Sequence, residues 1–180
     1  EADPSAGALN AWARLSPIDA DAALVLAQDL ATALDAQALM AGSDSRNSQM
    51  LSELLQRALV VAGDECPVCL KPLDPAWREA ALRRAEQARK DAVKADQVAG
   101  DVEKAVRAAR NWFVKLPQAP ALPSRWEGDL PSRWAVWKSP PEGPASLAQH
   151  LLKAPELVAE IDGLRDQAEL ELKAQRAEWK

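Results

Sequence analysis

Tyrosine is missing from this chain, histidine occurs once, and aromatic side chains make up only 4% of the residues. So little aromatic bulk argues against a thick globular core, and it leaves β-sheets few of the residues they favour. Apolar–polar alternation with a period of two is also lacking, which removes the remaining support for strands. No apolar run approaches the ~18 residues of a membrane span. The best candidate, Ala22 to Leu39, is interrupted by Gln28, Asp29 and Asp35. Nothing resembles a signal peptide, so a soluble, reducing, cytoplasmic setting is the expectation. The seven glycines include no phosphate-binding loop. There is no Ser/His/Asp set and no recognisable pair of catalytic carboxylates, so this segment is not expected to be an enzyme. A net charge of −5 gives the chain as a whole no attraction for a polyanion.

What is present is alanine, leucine, glutamate, lysine, arginine and glutamine, the composition of long helices. The fold class predicted is all-α. A weakly patterned N-terminus is followed by helices expected at about 17–41 and 45–62. The first is capped by Ser16 with Pro17 in its first turn and carries Leu26, Leu30 and Leu34 along one stripe. The second carries Met50, Leu51, Leu54, Leu55, Ala58 and Leu59 in two columns. Residues 1–62 then form one arm, and 63–74 form a tip. Asp74-Pro75 opens a long helix over 75–116. Its apolar positions are Ala81, Ala85, Ala88, Ala92, Ala95, Ala99, Val102, Val106, Ala109, Phe113 and Leu116, in steps of four and three. That is a heptad seam, and small seam residues allow a second helix close approach. An antiparallel coiled-coil hairpin with 63–74 at its bend is the simplest arrangement.

Seven of the thirteen prolines fall within 117–145, which excludes a continuous helix there. Leu122-Pro123-Ser124-Arg125-Trp126 recurs as Leu130-Pro131-Ser132-Arg133-Trp134, and Trp137 follows. Tryptophan is foreign to a disordered linker, so the segment is read as a packed, irregular insertion tied down by its indoles. The sharper alternative is a Pro/Trp docking surface for a partner protein or nucleic acid, with the cysteines only structural. Residues 146–180 resume a helical stem, with Leu157, Ile161, Leu164, Ala168 and Leu172 on one face. The chain starts at Glu1 without methionine and ends inside a helical pattern, as expected of a segment of a longer protein.

The strongest chemical signal is Cys66-Pro67-Val68-Cys69. Two thiolates two residues apart can clamp one soft divalent ion, and structural zinc takes four ligands. One chain provides half a tetrahedron, and two copies meeting tip to tip provide all of it. Three other readings stand beside this one. They are an intrachain site completed by His150 or carboxylates, a redox pair without the usual βαβ surroundings, and a pair of inert thiols.

This tip, with Gly63 before it and Leu73, Asp74-Pro75, Arg78-Glu79 and Leu82 after it, resembles the zinc hook of the SMC-like ATPases of double-strand-break repair, the Rad-type and SbcC-type proteins. The resemblance covers about 45–116; where the family carries glycine after the second cysteine, this chain has Leu70. It implies one zinc ion shared by Cys66 and Cys69 of two chains in a homodimer. It also implies ATPase heads outside this segment that contact DNA, with a role in repair or anti-phage defence and, in a bacterium, a nucleoid-associated location.

Overall fold

The computed structural model describes residues 4–40, 45–61, 65–66 and 71–178. Seven helices account for most of them: α1 (Pro4–Ala13), α2 (Ala20–Leu39), α3 (Ser45–Val61), α4 (Pro75–Lys115), α5 (Leu130–Trp137), α6 (Pro144–Leu151) and α7 (Ala154–Glu178). Among the described residues there is no strand beyond one isolated bridge, and no helix is long and apolar enough to cross a membrane. The all-α expectation holds.

Two compact units are formed, the first from Glu1–Thr32 with Lys104–Lys180 and the second from Ala33–Glu103. In the first, α1 and α5 pack against α7. Leu9 and Trp12 of α1 are fully buried, as are Leu147 and Leu151 of α6. The α7 face predicted from sequence is the one covered: Leu157, Ile161 and Ala168 are buried, and Leu164 and Leu172 half-buried.

Helix α2 starts later than Ser16-Pro17 suggested. The Asp19 carboxylate accepts the Ala22 N–H at 2.9 Å and makes Asp19 the N-cap, a role carboxylates fill at least as well as serine. Its buried stripe is also different, being Ala23, Ala27 and Leu30, with Leu26 and Leu34 only half-buried at the margin. Small residues occupy the centre of this seam because they permit the closest approach of a neighbour.

Helix α4 matches its predicted limits and is roughly 60 Å long at ~1.5 Å per residue. Its cap is the predicted one, since Asp74 Oδ1 accepts the Ala76 N–H at 2.9 Å. Ala81, Ala85, Ala88, Ala92, Val102, Ala109, Phe113 and Leu116 are buried, but Ala99 is exposed and the neighbouring Val98 is half-buried in its place. In α3 the expected apolar positions are only partly covered. Leu55, Ala58 and Leu59 are half-buried, whereas Met50, Leu51 and Leu54 are exposed.

The insertion at 117–145 is less irregular than its prolines suggested, because α5 lies inside it. Pro131 stands in the first turn of α5, and Pro144 opens α6. At those positions the missing N–H would have had no intrahelical partner, so proline begins a helix instead of breaking it. Gly128, with φ of 139°, sits just before the α5 N-cap Asp129, in backbone space that side-chain-bearing residues avoid.

Indole N–H groups, from within the segment and from α1, bond to carbonyls in and around it. Trp12 Nε1 donates to Ala121 O at 3.1 Å, Trp134 Nε1 to Pro117 O at 2.9 Å, and Trp137 Nε1 to His150 O at 3.2 Å. The two copies of Leu-Pro-Ser-Arg-Trp adopt different structures, the first a turn and the second a helix. Both nevertheless point their arginine at α7. Arg125 pairs with Glu171, and Arg133 grips Glu160 in a two-pronged contact of 2.9 and 3.0 Å. The repeat therefore sets two registration points along one helix.

Candidate metal-binding turn

Cys66 lies in the segment that joins α3 to α4. Glu65 and Pro72 form an antiparallel bridge, and the Cys66 N–H donates to Lys71 O at 2.8 Å. The bond joins the residues on either side of 67–70. Cys66 itself is half-buried, and Cys69 lies outside the described residues. A turn closed by main-chain hydrogen bonds costs less to order around an ion than an open loop, because part of its entropy is already lost. On the far side, the Asp74 carboxylate caps α4 and the Asp74 carbonyl accepts the Trp77 N–H at 2.8 Å. Asp74 thus fixes where the turn ends and the long helix begins.

The chemistry open to this turn follows from its donors. A cysteine thiol binds metal as the thiolate and prefers soft ions such as zinc. Among the described residues no three His, Cys, Asp or Glu side chains converge as a metal site. Glu65 and Asp74 flank the turn in sequence, and Asp74 is engaged by the helix it caps.

His150, the chain's one histidine, stands in an aromatic cluster. Its ring stacks on Trp137 with centroids 5.5 Å apart and planes inclined by 17°. Its Nε2 lies 2.7 Å from Trp137 O. A carbonyl can only accept, so Nε2 carries the proton and cannot at the same time ligate a metal. Phe113, Trp112 and Trp134 complete this aromatic cluster, with Trp137 at its centre. Trp134 and Trp137 are 1% and 5% exposed, so their rings are structural and not a free surface.

Two functional-looking contacts had no sequence signal. Lys138 Nζ donates to Leu116 O at 2.7 Å and to Pro117 O at 3.3 Å, satisfying carbonyls at the end of α4. Glu171 accepts from Trp126, Gln167 and Arg125. Partial burial pushes its carboxyl up, but those hydrogen bonds and the Arg125 charge outweigh the burial and leave its pKa below the ordinary value. Such long-range pairs could only be found once the fold had brought the elements together.

Compared with protein-family models, with curated proteins and with solved structures, this chain matches none of them.

Proposed function

We propose that this chain is a zinc-mediated homodimerisation segment of a larger SMC-like ATPase, with Cys66 and Cys69 from each of two copies sharing one ion. The observation that carries the reading is the antiparallel closure at Glu65, Cys66, Lys71 and Pro72, which brackets the second cysteine. A coiled-coil hairpin on either side of the turn is supported by the burial of the alanine seam at Ala81, Ala85, Ala88 and Ala92. One chain has two cysteines, so a site of four thiolates is completed most simply by a second copy. Structural zinc contributes ~10–16 kcal/mol of apparent binding energy in small peptides, enough to hold a dimer whose tips touch over a small area. In the parent protein the clasp would join distant ATPase heads acting on DNA, in repair or anti-phage defence.

The test is metal content together with mass in solution. Expected are one zinc ion per two chains and a dimer that becomes monomer on chelation or in Cys66→Ser/Cys69→Ser. A monomer that retains one zinc per chain, or an oligomer indifferent to zinc, would count against the clasp.

A further inference from the structure

The first Leu-Pro-Ser-Arg-Trp copy is attached to the molecule differently from the second. Trp134 of the second copy is almost fully enclosed within α5, and it shares the Pro117 carbonyl with Lys138, which pins the start of the insertion. From there to Gly128 the chain forms no helix. Inside this strap the Trp126 N–H bonds to Pro123 O at 2.9 Å, and the Pro123 side chain is buried. Side-chain hydrogen bonds fasten the strap to α1 and to α7. On α1, the Trp12 N–H donates to Ala121 O, and the Trp12 and Trp126 rings lie 6.4 Å apart. On α7, the Glu171 carboxylate takes the Trp126 N–H at 2.9 Å together with the Arg125 guanidinium. Gln167 Nε2 holds the same carboxylate from its own helix at 3.2 Å. Glu160, the partner of Arg133, stands about three helical turns away along the same face of α7.

We propose that residues 118–128 and α1 are one detachable unit latched at Glu171, which opens from α7 while α5, α6 and the aromatic cluster around Trp137 stay folded. Three features set its limits. Gly128, with φ of 139°, gives the strap a swivel immediately before the α5 N-cap, where a residue without Cβ turns at little steric cost. At the other end the Pro117 carbonyl is held by Trp134 and Lys138, so loosening stops there. Helix α1 has ten residues, too few to persist as an isolated helix, and its Trp12 is fully buried with its N–H on the strap. When the strap lifts, the Trp12 ring meets water and α1 loses much of the apolar contact that keeps it on α7. Opening therefore presents the Trp12 and Trp126 rings together, turning a closed helical face into an exposed aromatic one. The device needs neither zinc nor a second copy.

Hydrogen exchange on the full-length chain in low urea tests the unit. In the wild type, the α1 amides and the Trp12 and Trp126 indole N–H groups should share one level of protection, about ten-fold or more below that of the Trp134 indole. Glu171→Ala should speed exchange at Trp12 and Trp126 together by about ten-fold, with Trp134 and Trp137 unchanged. Glu160→Ala, on the same face of α7, should leave Trp12 and Trp126 as they were. Faster exchange at Trp126 with Trp12 unmoved, or equal acceleration of Trp134, overturns the proposal. Wild-type Trp12 exchanging in step with Trp134 and not with Trp126 does so without any variant.

Discussion

Trp134 is almost completely enclosed and still carries a polar N–H, which is tolerable because Pro117 O accepts it. Trp134→Ala should therefore cost about 3–5 kcal/mol in urea or thermal unfolding. Trp134→Phe should cost clearly less, because Lys138 Nζ still reaches the Pro117 carbonyl. Glu171 sets a pH dependence of known sign. Its folded pKa is lowered, so the stability it contributes is present above the ordinary carboxylate pKa and is lost as pH falls through the folded value. Below that range the Trp126 indole N–H signal should shift in the NMR spectrum of the folded chain, and Glu171→Gln should abolish the transition. That the tryptophans near 126–137 are anchors could be argued from the residues alone. Which oxygen each indole finds could not, because Ala121, Pro117 and Glu171 become neighbours only through the fold.

At the scale of single helices, local chemistry was informative where it acts locally. The Asp74-Pro75 start of α4 needed only a carboxylate and a proline in the right order, and the structure has both in place. Asp74→Ala should lower stability by about 1 kcal/mol through loss of that cap. Gly100 sits within α4, and a Cβ added there would meet nothing within 4 Å. Gly100→Ala should stabilise the chain by up to ~1 kcal/mol, measurable as a raised Tm. Proline was the misleading residue, since Pro131 and Pro144 begin helices within a stretch that proline content marked as irregular. Its effect depends on position in the turn, and that position is set by where the preceding segment ends. In α3 the pattern identified a helix but not which apolar positions would be covered, because periodicity counts apolar residues without knowing how many neighbours there are.

For the whole molecule the proposed clasp turns on the number of sulfur ligands per ion. If two copies share one zinc, lowering the pH should dissociate the dimer, because thiolates must be deprotonated to bind. Chelation at neutral pH should do the same, whereas Cys66→Ser/Cys69→Ser should be monomeric with or without zinc. Sedimentation at matched protein concentration reads all three. What the sequence determined by itself was the all-α class and the extent and cap of the 41-residue α4. Each depends on residues close together in the chain, whose capping, helix propensity and spacing act before any tertiary contact forms. Only the tertiary structure decided that both Leu-Pro-Ser-Arg-Trp copies would register on α7, that His150 would stack on Trp137, and that half of α3's apolar surface would stay uncovered. Those outcomes depend on which distant elements meet, and the contacts that select them are made between parts of the chain that carry no local record of one another.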